Sequence, residues 1–115
     1  KMKKTICFDL DNVICKTFKS NYKKSKPNQK AIKKINFLYD SGYFIKIFTA
    51  RYMGRNNDNK IKATKQGYAL TKKQLLRWKV KHHKLIFGKP SYDLFIDDKS
   101  IFFNKNWITK INKFL

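Results

Sequence analysis

All seven acidic residues of the 115-residue chain are aspartate, and four of them stand in two tight pairs. Asp9 and Asp11 are one residue apart in "CFDLDNVIC", residues 7–15. Asp97 and Asp98 are adjacent at the end of "YDLFIDD", residues 92–98. Both pairs end apolar runs that otherwise read as core strands. Aspartate is a poor strand former, and burying a carboxylate without a partner is costly. Such placements point to chemistry.

Four carboxylates brought together repel unless a cation sits among them. The donors are hard oxygens, and no His or Cys set has metal spacing. Mg²⁺ is the cation that suits one or two carboxylates plus water and a substrate phosphate. Two further groups end or precede strand-like runs: Thr49 after "YFIKIF", and Lys89 in "GKP". A metal, a hydroxyl donor and an ammonium facing one point suit a phosphoryl group. A carboxylate beside that point can attack phosphorus, and a second one can protonate the leaving group and then activate water.

The elements that must position these groups follow from periodicity. Residues 4–10, 43–49, 84–88 and 92–98 read as four strands. Residues 28–41 read as a helix capped by Asn28 and stopped by Gly42, with Ala31, Ile32, Ile35, Leu38 and Tyr39 on one face. Thr71 and Gln74 read as a capping box opening a helix over 71–81, and 106–115 as a closing helix. Residues 16–27 read as a loop or frayed turn. Residues 51–69, polar and with two glycines, read as a long loop, and such loops are commonly functional. The order predicts one α/β domain over 1–115 with a mostly parallel sheet. Ligands of such sheets bind at the carboxyl ends of the strands, where Asp9, Asp11, Thr49 and Asp97 would converge.

"FDLDNVI", "IFTAR", "GKP" and "LFIDDKS", in that order, resemble the four motifs of the haloacid dehalogenase (HAD) superfamily of phosphatases, over residues 5–100. The resemblance implies a three-layer Rossmann-like core and an Mg²⁺-dependent phosphomonoesterase. Asp9 would be nucleophile and metal ligand. Asp11 would be general acid and base, with its carbonyl on the metal. Thr49 would bind phosphoryl oxygens, and Lys89 would stabilise the attacking carboxylate. Asp97 would complete the metal site, and Asp98 would orient a metal-bound water. Asn12 and Val13 stand where the superfamily usually has Gly-Thr; Asn tolerates the backbone conformation that Gly supplies. "FTARYMGR", "LTKKQLLRW" and "LIFGKPSYDLFIDDKS" further resemble small capless members of capsule or lipopolysaccharide biosynthesis, which implies a sugar or polyol phosphate substrate. Asn12 and Ala50 would contact it, and Arg51 and Arg55 of "ARYMGR" have the geometry to bind a distal phosphate or carboxylate of the substrate, the alternative being a solvated basic loop. No cap domain fits between the motifs, so the site would be open or closed by a neighbouring subunit in a homo-oligomer.

Composition adds a second reading. The 28 Lys and Arg give a formal charge of +21, a field that attracts polyanions. A nucleotide or nucleic-acid-end (3′-phosphate) phosphatase is therefore the alternative substrate class, and a non-catalytic binding module on the same fold is a third reading. Cys7 and Cys15 read as core thiols of a reducing cytosol. The start shows no secretory-leader pattern and no run is long enough to span a membrane, so the expected location is cytoplasmic. His82 and His83 read as an exposed pair after a helix, Trp78 and Trp107 as packing residues, and Asp93 as a surface residue.

Overall fold

A computed structural model describes residues 3–115; Lys1 and Met2 lie outside the described residues. The elements in chain order are β1 (Thr5–Asp9), β2 (Cys15–Lys16), β3 (Lys26–Pro27), α1 (Gln29–Asp40), β4 (Phe44–Thr49), α2 (Lys60–Arg77), β5 (Lys84–Phe87) and α3 (Trp107–Lys110). Short 3₁₀ turns occupy Tyr22–Lys24, Gly54–Asn56 and Ile111–Phe114. β1, β4 and β5 form a parallel sheet in the order β1-β4-β5. β2 and β3 pair as a short antiparallel ribbon that pins the 16–27 segment.

The expected helix at 28–41 forms as α1. The Asn28 side chain accepts from the Ala31 N–H, and Ala31, Ile32, Ile35 and Leu38 are buried as the pattern predicts. Gly42, at φ 99°, ends the turn after the helix in the left-handed region that glycine enters without strain. The α1 face packs with Phe8, Leu10, Ile45 and Ile47 of the sheet region, and Trp107 and Ile111 join this core. Trp107 meets Phe8 edge to face at 5.7 Å, so the packing role expected of it holds. Near β5 a second cluster gathers Met53, Ala63 and Phe87.

Three expected elements differ. The closing helix expected over 106–115 is a single α turn, Trp107–Lys110, that runs into 3₁₀ at Ile111–Phe114. The loop at 51–69 is largely helix: α2 starts at Lys60, capped by Asn59, whose side chain accepts from Lys62 N–H. Thr71 and Gln74 are therefore mid-helix and buried, not a capping box. The buried face of α2 runs Ala63, Gly67, Thr71, Gln74, Leu75, small and polar residues that leave no apolar period to read. The fourth strand is also absent: residues 92–98 carry no ladder and are exposed. Only Gly88 to Ser91 separate β5 from that run, whereas a parallel neighbour needs a crossover of about a dozen residues or more. The result is a mixed α/β fold with a three-stranded parallel sheet. No helix among the described residues is long and apolar enough to cross a membrane.

Candidate active site at the carboxyl edge of the sheet

Strand register sets the site. Asp9 ends β1 opposite Phe48, and Thr49 ends β4 opposite Phe87. Lys89 follows β5 by two residues, and its N–H donates to the Thr49 carbonyl at 3.2 Å. Three sequence-distant strand ends therefore sit in one row. Lys89 Nζ reaches Asp9 Oδ2 at 3.3 Å, and the other Asp9 oxygen accepts from the Leu10 N–H at 2.8 Å. Burial works against the charge of Lys89, but the Tyr92 hydroxyl and Asp9 outweigh it, and its pKa is raised. Lys89 thus stays an ammonium at neutral pH.

Beyond Asp9 the chain turns sharply. Asn12 takes φ 69°, the left-handed conformation expected of it, and its N–H donates to the Cys15 carbonyl at 2.6 Å. The turn presents Asp11 to a pocket of about 260 Å³ lined by Asp9, Asp11, Asn12, Thr17, Ser20, Tyr22, Ala50 and Arg51.

Asp11 is held by a network that sequence reasoning missed. Arg51 is buried, 1% exposed. Its Nε donates to Asp11 Oδ2 at 3.0 Å and its Nη2 to Oδ1 at 2.9 Å. The remaining guanidinium donors go to Thr71 and Gln74 on α2 and to Ser25. Thr17 donates to Asp11 Oδ1 at 2.5 Å and shares a hydrogen bond with Ser25. Arg51 lines the pocket, but its donors are committed to the protein, where they fix Asp11. The same network explains why Thr71 and Gln74 are tolerated in a buried helix face, since buried polar groups need partners. The signal was present as polar residues three apart, but it reads equally well as a cap.

Thr49 also departs from expectation. It is fully buried, lies outside the pocket lining, and its Oγ1 accepts from the Arg51 N–H at 3.1 Å. Arg55 is exposed, stacked 4.6 Å from the Tyr52 ring centroid and 5.4 Å from that of Tyr22. Asp97 and Asp98 are exposed. Asp97 Oδ1 accepts from Lys99 N–H at 2.8 Å and its carbonyl accepts from Ser100. This pair closes a local turn, and the expected four-carboxylate cluster does not form. Among the described residues no group of three or more His, Cys, Asp or Glu is placed to hold a metal.

Cys15 is buried against the network, and burial together with the Asp11 charge pushes its thiol up to about 11. Cys7 is exposed rather than a core thiol. His83 is exposed, as expected of the pair, while His82 is half-buried, yet the His83 side chain is engaged. Its ring stacks between Tyr39 and Phe44, and its Nδ1 accepts from the Ile45 N–H at 2.9 Å.

No protein-family model matches the sequence, and no curated protein matches it. Solved structures share the fold. A crystal structure of a target protein from Vibrio cholerae superposes with a TM-score of 0.80 at 22% identity, over 96% of this chain and 98% of that one. A chain of the Pnkp1/Rnl/Hen1 complex superposes with a TM-score of 0.55 at 14% identity, over 95% of this chain but 33% of the other. At these identities the likeness is one of fold.

Proposed function

We propose that the chain is a phosphomonoesterase of the HAD type, working through an aspartyl phosphate on a three-layer Rossmann-like core without a cap. The observation that carries this reading is that Asp9 and Asp11 line one pocket at the carboxyl edge of the parallel sheet, with Lys89, from just beyond β5, paired to Asp9 at 3.3 Å. Asp9 Oδ2 attacks phosphorus while the bond to the leaving oxygen breaks. Lys89 stabilises the charge that gathers on the phosphoryl oxygens. Asp11 Oδ2, with a single donor, handles the proton: it supplies one to the leaving oxygen and later takes one from the water that cleaves the acyl phosphate. Arg51, Thr17 and α2 keep that carboxylate aimed, and a misplacement of about 1 Å can cost roughly a hundredfold in rate.

The donors suit Mg²⁺. Asp9 is 38% exposed at its side chain, and one carboxylate with a main-chain carbonyl and a substrate phosphate is a set that this ion accepts. Bound there, the ion would neutralise phosphoryl charge. Asp9 and the Asp11 carbonyl would hold it; Asp97 and Asp98, in their exposed turn, take no part in the steps above.

The substrate class that the motif resemblance supports is a small sugar or polyol phosphate, whereas an open site accords with the larger alternative. The +21 charge favours a nucleotide or nucleic-acid 3′-phosphate as the second reading. A phosphate-release screen across sugar phosphates, polyol phosphates, nucleotides and 3′-phosphorylated oligonucleotides, with and without Mg²⁺, tests both. Mg²⁺-dependent release from a sugar-like ester supports the first and from oligonucleotides the second. Release from none of them sinks the phosphatase reading and leaves a binding module.

A further inference from the structure

We infer that Arg55, seated on Tyr22 at the pocket mouth, forms a second subsite, and that the preferred substrate is a phosphate monoester whose leaving group carries a second anion, either carboxylate or phosphate. The inference rests on the phosphatase reading of the pocket and specifies its substrate.

The two arginines near the pocket have opposite circumstances. Arg51 is buried and spends its donors inside the protein. Arg55 is exposed, and among the described residues it makes one hydrogen bond, from Nη2 to the Ser20 carbonyl at 3.3 Å. Its remaining donors form a planar fork that matches carboxylate and phosphate oxygens, which a lysine cannot imitate. Tyr22 is a wall of the pocket, and Arg55 lies over its ring at 5.4 Å. A leaving group that leaves the pocket past Tyr22 and Ser20 meets that fork.

The mouth is rigid enough to discriminate. The Gln74 side chain donates to the Tyr22 carbonyl at 2.6 Å, so α2 holds Tyr22 as well as Arg51. Tyr22 and Tyr52 pack at 4.9 Å, and Tyr52 lies against α2 where Gly67 has no side chain to obstruct it. Lys19, Ser20, Tyr52, Asn57 and Asp58 all take left-handed conformations. Such backbone persists only where surrounding contacts impose it. An arginine preorganised on two aromatic rings loses little freedom on binding. A chain of charge +21 also draws the more anionic ester in faster.

The test compares kcat/KM for matched pairs: glycerol 2-phosphate against 2-phosphoglycerate, and adenosine 3′-phosphate against adenosine 3′,5′-bisphosphate. It is run on the wild type, Arg55→Ala, Arg55→Lys and Lys81→Ala. The expected result is a preference of about tenfold or more for the second anion in one pair, the scale of a charge-assisted contact. That pair identifies the anion as carboxylate or phosphate. The preference drops to about twofold or less in both Arg55 variants and survives in Lys81→Ala, which shows that a specific contact rather than net charge is responsible. Equal kcat/KM within both pairs, or a preference that survives Arg55→Ala, overturns the inference. If no ester is hydrolysed, the phosphatase reading has failed, and calorimetric titration of the wild type and Arg55→Ala with the two adenosine phosphates decides the subsite by itself. Tighter bisphosphate binding that depends on Arg55 sustains it, and equal affinities overturn it.

Discussion

At the residue scale the site depends on two aspartates with different neighbours. Asp9 is open on one side and meets Lys89; Asp11 is clamped by Arg51 and Thr17. Removing Arg51 leaves the Asp11 carboxylate without its countercharge in a low-dielectric setting. Arg51→Met should therefore destabilise the fold by about 3 kcal/mol, read as a lower denaturant midpoint; an unchanged midpoint would show that the clamp is not structural. The thiols should also separate. Cys15, buried and with its thiol pushed up to about 11, should resist a thiol reagent near neutral pH, while exposed Cys7 reacts. Two thiols modified at the same rate in the native protein would contradict the buried network.

At the element scale Gly67 shows how α2 is fitted. A Cβ there would lie 2.4 Å from Tyr52 Cδ2 and 2.9 Å from Phe87 Cε2. Gly67→Ala should destabilise by about 1–3 kcal/mol through overpacking, even though alanine favours an exposed helix by about 1 kcal/mol. A rise in Tm would mean that Tyr52 moves aside freely. This helix was also the element least legible in the sequence. α1 and the three sheet strands announce themselves through apolar faces and runs, as with Ile32, Ile35, Ile45 and Ile47. The inner face of α2 is selected for what it holds, an arginine and two tyrosines, so Thr71, Gln74 and Gly67 look like loop and cap residues. Residues 92–98 mislead in the other direction: a strand-like composition says nothing about whether the preceding connection is long enough. Of the site, Asp9, Asp11, Asn12 and Lys89 were readable from pattern, whereas the inward turn of Arg51 and the outward turn of Arg55 were not, because both are arginines in one polar stretch.

At the scale of the whole molecule, charge and pH set the working range. A net +21 repels itself, so stability should rise as ionic strength increases from about 0.01 M to 0.15 M and the screening length shortens from roughly 30 Å to 8 Å. A Tm that falls over that range would show that attractive pairs, not repulsion, dominate. His82 adds a pH term. Its Nε2 faces the Lys72 ammonium at 3.2 Å and its Nδ1 faces the Val80 carbonyl at 2.9 Å, an arrangement that suits the neutral ring. Burial, ahead of Lys72 and His83, lowers its pKa below 6.5. The unfolded chain then binds the proton more readily, so this contribution is full above about pH 6.5 and is lost as pH falls through the lower folded value. Thermal melts across that window should show the decline, and His82→Gln should flatten it; a slope unchanged by the substitution would assign it to other groups.

The most direct test of the account is phosphate release in Mg²⁺ by Asp9→Asn beside the wild type, with Asp40→Asn as a control for the loss of an exposed carboxylate. If Asp9 is the nucleophile, the Asn variant folds normally and its turnover falls by about a thousandfold or more, the scale of losing a catalytic nucleophile, while Asp40→Asn remains active. Wild-type turnover in Asp9→Asn would contradict the aspartyl phosphate and, with it, the assignment of the pocket.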